Sequence, residues 1–209
     1  VMVTNDWVAD SQGWCYVGSN GYMLTNQWID DNGKWYYVDS QGIMAYNQWR
    51  LDSSGWCYLG SDGAMVTNDW VADSQGLCYV GPYGYTLANC WVEVDGDWYY
   101  LDSDGRRVCN QWRLDSSGWC YLGSDGAMVT NDWVADSQGW CYLGPYGYIL
   151  TNCWVEDGGN WYYLDSEGRI VYSQWKQDSK GWCYLGTNGA MVTNDWMADS
   201  KGWCYLGDD

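Results

Sequence analysis

The chain has 209 residues, a formal net charge of −18, 19 tryptophans, 20 tyrosines, 10 cysteines, and neither phenylalanine nor histidine. The charge argues against nucleic-acid binding, which needs Lys and Arg to neutralise phosphates, and the aromatic content argues against disorder. No run approaches the roughly 18 apolar residues of a membrane span, no signal peptide is visible, and most of the acidic residues read as a solvated surface.

Along the chain the first element to emerge is a repeat. Trp7, Trp28, Trp49, Trp70, Trp91, Trp112, Trp133, Trp154, Trp175 and Trp196 stand 21 residues apart without an insertion. A second row follows seven residues later: Trp14, Trp35, Trp56, Trp98, Trp119, Trp140, Trp161, Trp182 and Trp203, with Leu77 in the fourth unit. A tyrosine comes two residues further on in every unit, from Tyr16 and Tyr37 to Tyr205. A fixed period of this kind marks an array of stacked units, stabilised by neighbours rather than by one central core. Val1–Asn5 matches the middle of a unit (Ala127–Asn131) and the chain stops mid-unit. Residues 1–209 are therefore expected to be a single repeat array belonging to a longer chain.

Within a unit, the stretch Asp136-Ser137-Gln138-Gly139 is a turn signal between two short apolar runs. Asp bonds its own backbone two residues on, and Gly takes positive φ freely. Trp140-Cys141-Tyr142-Leu143 reads as a strand, with Trp140 and Tyr142 on one face and Cys141 and Leu143 on the other. Each unit is thus a β-hairpin. A second turn follows at Gly144-Pro145-Tyr146-Gly147, and its last Gly recurs from Gly21 to Gly189 as a candidate left-handed position.

The units are not identical. Trp35-Tyr36-Tyr37, Trp98-Tyr99-Tyr100 and Trp161-Tyr162-Tyr163 stand 63 residues apart, and Gln48-Trp49-Arg50-Leu51-Asp52 recurs as Gln111-Trp112-Arg113-Leu114-Asp115. Two origins fit a three-unit superperiod: a rotation of about a third of a turn per hairpin, which stacks units n and n+3, or duplication of a three-unit segment.

Seven cysteines share one unit position: Cys15, Cys57, Cys78, Cys120, Cys141, Cys183 and Cys204. They alternate away from the aromatic face and read as small buried hydrophobes, with Tyr36, Tyr99 and Tyr162 in the same slot. Cys90, Cys109 and Cys153 lie outside the row, and the spacing leaves a Cys90–Cys109 pair open. No Cys-x-x-Cys pair or histidine supports a metal site. The common triads need histidine, and carboxylates recurring in turns, such as Asp10, Asp39, Asp73 and Asp136, read as structural. The chain is expected to be non-enzymatic, with no catalytic residue, cofactor or metal.

So many tryptophans are costly to hide, and two Trp and one Tyr from neighbouring units can form an open box. Such a box suits a quaternary ammonium, held by cation–π attraction of roughly 0.5–2 kcal/mol per ring, or the apolar face of a sugar. The stretch from Asn26 to Met44, with its W-x6-W-x-Y spacing and following Gly42-Ile43-Met44, resembles the choline-binding, or cell-wall-binding, repeat of Gram-positive surface proteins and phage lysins. The resemblance covers essentially the whole chain. It implies an all-β fold, a left-handed β-hairpin solenoid with about three hairpins per turn. It also implies choline or phosphocholine groups of teichoic acid caged between consecutive hairpins, and a secreted or cell-surface, wall-associated location.

Carried over, the cages are Trp7, Trp14 and Tyr16; Trp28, Trp35 and Tyr37; Trp49, Trp56 and Tyr58; Trp112, Trp119 and Tyr121; Trp133, Trp140 and Tyr142; Trp154, Trp161 and Tyr163; and Trp175, Trp182 and Tyr184. Met23, Met44, Met65, Met128 and Met191 supply the apolar neighbour, with Met2, Ile149 and Ile170 in the same row. The fourth and fifth units depart from the pattern. Leu77 removes a ring, Thr86 and Arg107 replace the apolar residue, and Arg107 would repel a cation if it points inward. Two alternatives stand beside a wall-polymer binder. One is a glycan-binding module of the same fold. The other is a structural array in which the aromatics only pack, self-associating through its solenoid ends.

Overall fold

The computed structural model describes residues 1–207. Among the described residues every regular element is a β-strand, and each strand pairs with its sequence neighbour. Two compact units are present: Val1–Val94 with Tyr99–Val108, and Asp95–Trp98 with the chain from Cys109 onward. The first unit holds β1 (Asp6–Ala9) paired with β2 (Trp14–Val17), and β3 (Gln27–Asp31) with β4 (Lys34–Val38). It also holds β5 (Gln48–Asp52) with β6 (Gly55–Leu59), and β7 (Asp69–Asp73) with β8 (Gly76–Val80). The fifth hairpin is β9 (Cys90–Val94) and β10 (Asp97–Leu101), through which the boundary between the units runs. The second unit holds β11 (Gln111–Asp115) with β12 (Gly118–Leu122), and β13 (Asp132–Asp136) with β14 (Gly139–Leu143). There follow β15 (Cys153–Asp157) with β16 (Asn160–Leu164), β17 (Gln174–Gln177) with β18 (Trp182–Leu185), and β19 (Asp195–Asp199) with β20 (Gly202–Leu206). This is the all-β hairpin-repeat class expected from the 21-residue period, one hairpin per unit.

The turn chemistry follows the sequence. In the seventh hairpin Asp136 pairs with Gly139, and the Asp136 carboxylate accepts the Gln138 N–H at 2.8 Å, two residues on. The Trp-Tyr-Tyr hairpins close differently. Their central residues, Asn32-Gly33, Asp95-Gly96 and Gly158-Gly159, all have φ between 53° and 93°. Two positive φ values make a type I′ turn, whose twist matches that of the strands.

Alternation places one row at the centre of each unit. Val38, Leu59 and Val80 in the first unit, and Leu122, Leu143, Leu164 and Leu185 in the second, have no exposed surface. Cys57, Cys120 and Cys141, two residues earlier in their strands, are equally hidden. Cys15, Cys57, Cys78, Cys120 and Cys141 of the row are buried, as the alternation predicts, while Cys183 and Cys204 are half-buried. Burial away from water, with Asp52 or Asp115 nearby, pushes the Cys57 and Cys120 thiols up to about 11. Cys90, outside the row, carries a free thiol.

A lone hairpin is marginal in water, so what couples neighbouring hairpins matters. The segment after each hairpin bonds in two directions. Ala45 N–H donates to Tyr37 O of its own hairpin at 2.8 Å, while Met44 N–H donates to Trp14 O of the preceding hairpin at 2.7 Å. In the second unit Ile149 N–H reaches back to Trp119 O at 2.9 Å, and Leu150 N–H bonds Tyr142 O at 3.0 Å. The recurrent turn Gly makes this connector possible. Gly42, Gly63, Gly147 and Gly189 have φ of 79–81°, the left-handed region that a Cβ disfavours. A further left-handed residue recurs just before each opening Trp: Asn5, Asn26, Asn47 and Asn68 through to Asn194, with Ser173 in one unit. Asn tolerates this region better than most residues.

Candidate ligand-binding site

The site is built from strand register. Trp7 lies opposite Tyr16, Trp28 opposite Tyr37, Trp49 opposite Tyr58 and Trp112 opposite Tyr121. Directly opposed side chains on one sheet face touch. Each opening Trp therefore meets its Tyr edge-to-face, with ring centroids 4.9 Å apart for Trp133–Tyr142 and 5.4 Å for Trp196–Tyr205. This is the favoured geometry of an aromatic pair. Two residues along the same face comes the second Trp. Trp14, Trp35, Trp56, Trp119 and Trp140 are 45–50% exposed, so this row flanks a groove rather than filling a core.

What faces each pair comes from the following hairpin and the connector after that. In the second hairpin, Trp28, Trp35 and Tyr37 line one groove with Met65 and Tyr85. Two tryptophans, a tyrosine and a residue of the methionine row thus line one groove, with Arg50 beside them. In the third hairpin Trp49 and Trp56 line a groove with Cys78, Asp73 and Thr86, which stands in the methionine row. In the second unit Trp182 and Met191 share a further groove. Met65 N–H donates to Trp35 O at 2.7 Å, and Met191 N–H to Trp161 O at 2.7 Å. The methionine row is thus held by backbone bonds to the hairpin it serves. Met44 also packs on the next turn, since a Cβ at Gly63 would lie 2.6 Å from Met44 Cε.

The sequence reading missed three features of these pairs. First, Tyr36, Tyr99 and Tyr162 do not simply replace cysteine. Each lies against the opening Trp of the hairpin before it, at 5.2 Å from Trp7, 5.2 Å from Trp70 and 5.1 Å from Trp133. The 63-residue spacing of the Trp-Tyr-Tyr triplets was the available signal. Second, Arg50 and Lys176, each directly after an opening Trp, face the previous pair. The Arg50 guanidinium carbon sits 3.2 Å from the Tyr37 centroid and 6.0 Å from that of Trp28. Lys176 Nζ lies 3.7 Å from the Tyr163 centroid. Third, Arg107, in the methionine row, turns inward over Trp70 at 5.4 Å and Tyr99 at 5.9 Å.

Other charges frame the grooves. Trp7 Nε1 donates to Asp31 Oδ2 at 3.2 Å and Trp133 Nε1 to Asp157 Oδ2 at 3.0 Å. Arg106 grips Asp73 through both terminal guanidinium nitrogens at 2.7 and 2.9 Å, and Arg169 holds Asp136 in the same way. Hydrogen bonds from these arginines hold both carboxyls below the ordinary value of 3.8. The site therefore presents aromatic faces and carboxylates, a surface suited to a cation.

Known proteins resemble this chain in sequence and in fold. One choline-binding repeat model matches residues 1–43 and a second matches 88–133. A cell wall binding repeat model matches 47–65, 154–170 and 173–191. The choline-binding domain of CbpL from Streptococcus pneumoniae is 34% identical, with 88% of this chain and 94% of that one covered and a TM-score of 0.60. Choline binding protein F from the same organism is 32% identical, with 86% and 61% covered and a TM-score of 0.56. The modular autolysin LytC of S. pneumoniae is 27% identical at a TM-score of 0.65. The match takes in 97% of this chain and 47% of LytC, so the chain spans about half the length of that relative. No curated protein sequence matches the chain significantly.

Proposed function

This chain belongs to the choline-binding repeat family, and from that premise we propose that it is a non-catalytic module that attaches to choline-bearing cell-wall polymer through aromatic cages between consecutive hairpins. The observation that carries the reading is the edge-to-face Trp–Tyr pair flanked by a half-exposed second Trp, repeated from hairpin to hairpin. A quaternary ammonium has no N–H to satisfy, so it needs no hydrogen-bond acceptor. It needs ring faces, and the grooves offer them. The cage residues are the opening Trp, the second Trp and the Tyr, with the methionine row alongside. A single cage contributes roughly 0.5–2 kcal/mol per ring, which makes one choline a weak ligand. Several cages engaging one polymer raise the effective concentration and with it the avidity. A wall-associated location outside the cell follows from such a ligand.

Choline titration followed by tryptophan fluorescence and calorimetry tests the reading. Saturable binding with a raised melting temperature at tens of millimolar choline is expected. A flat titration, or a response to oligosaccharides in place of choline, would overturn it.

A further inference from the structure

The aromatic pairs fall into chemically different kinds, and the difference is set by the neighbouring hairpin. Over Trp28–Tyr37 stands Arg50, and over Tyr163 stands Lys176. Over Trp70, with Tyr99 beside it, stands Arg107. By contrast the residue that follows the opening Trp in the fourth and seventh hairpins is Val71 or Val134, so that position brings no cation toward the preceding pairs Trp49–Tyr58 and Trp112–Tyr121.

Arg50 is an unusual cation. The chain has 27 acidic residues against nine Lys and Arg, yet none of the described ion pairs includes Arg50. Its Nε is buried and donates no hydrogen bond. A buried Nε–H without a hydrogen-bond acceptor must be compensated elsewhere, and the ring faces beneath it are the compensation at hand. Its carbon lies 3.2 Å from the Tyr37 centroid, so the ring face is covered. A trimethylammonium group needs that same face and cannot share it.

We propose that Arg50, Arg107 and Lys176 are built-in cations that occupy three of the cages and exclude an external quaternary ammonium from them, leaving ligand binding to the pairs that have no cation of their own. The proposal deepens the function given above and rests on it. It makes the side chain after each opening Trp, and the methionine-row residue, the determinants of which cages are open.

The test is the number of choline equivalents bound, measured by equilibrium dialysis on the full chain. Arg50→Val and Lys176→Val install the residue found at the same unit position in the fourth, fifth, seventh and eighth hairpins. Each variant is expected to bind one more choline than wild type, and the double variant two more. Circular dichroism monitors the fold; if Arg50→Val unfolds, Arg50→Gln and Lys176→Val carry the measurement. Wild-type binding with no gain in any folded variant overturns the internal-cation proposal and leaves the function standing. No choline bound by wild type or variants overturns the function and this proposal with it.

Discussion

The two tryptophans of a unit have unlike surroundings. In the third hairpin Trp49 packs edge-on against Tyr58 at 5.2 Å, whereas Trp56 is 49% exposed beside the groove. The second position is therefore free to vary structurally, and Leu77 shows the fold carrying leucine there. Trp56→Leu is expected to cost no more than about 1 kcal/mol in a urea melt, as surface substitutions do. It is expected to remove one bound choline, read by dialysis. The Trp and Tyr rows were legible because rare residues at constant spacing leave no other register. The roles of Arg50 and Lys176 were not. Both sit on the strand face opposite their own ring pair, and nothing in one hairpin tells what that face meets. Arg50, Arg113 and Lys176 do recur at 63 residues, but the period alone carries no contact.

At the scale of the element, the hairpin closes by one of two turns and is followed by a connector that needs left-handed residues. Gly63 and Gly33 separate two costs of a side chain. Both have φ near 79°, so Ala at either meets the backbone strain of about 1–2 kcal/mol. Only Gly63 has a neighbour, Met44 Cε at 2.6 Å from the Cβ position, while Gly33 has nothing within 4 Å. Gly63→Ala is therefore expected to lower the free energy of unfolding further than Gly33→Ala, checked by denaturant midpoints at equal m. The glycine at the end of the second turn was readable from its recurrence. The Asn row was not read as left-handed, because Asn serves turns, caps and solvated loops equally well. Its φ is imposed where the Asn26 N–H reaches Asp39 O at 2.8 Å.

At the scale of the whole molecule, contacts are between near neighbours in the chain, so stability is approximately a sum over hairpins and their junctions. The reach is short. Asp136 and Arg169, 33 residues apart, are among the more distant hydrogen-bonded partners in the second unit. Their carboxyl is held below 3.8, first by the Arg169 hydrogen bond and then by the Gln138 N–H, against the opposing effect of burial. A carboxyl whose value is depressed on folding stabilises at pH above its unfolded value and loses that contribution as pH falls through the folded one. The melting-temperature gap between wild type and Arg169→Gln is thus expected to be constant above about pH 5 and to close below 3.8, read by calorimetry across pH. The hairpin count and the 63-residue period were legible at this scale. The physical content of that period was not, since it lies in what meets what at each junction: a third ring, a cation or a valine.

The coupling of every ring pair to its successor has a consequence for copy-number change by unequal recombination. Excising residues 49–69 would preserve the 21-residue phase, so the shortened chain should still fold. It would also bring Val71 and Cys78 to the Trp28–Tyr37 pair in place of Arg50 and Cys57. One lost repeat thus rewrites the junction it heals. Losing three consecutive repeats, 63 residues, keeps the kind of residue after the opening Trp, as Arg113 for Arg50, while the methionine row can still change, as Ile149 for Thr86. Repeat gain and loss in this chain would then be a heritable means of setting how many cages stand open.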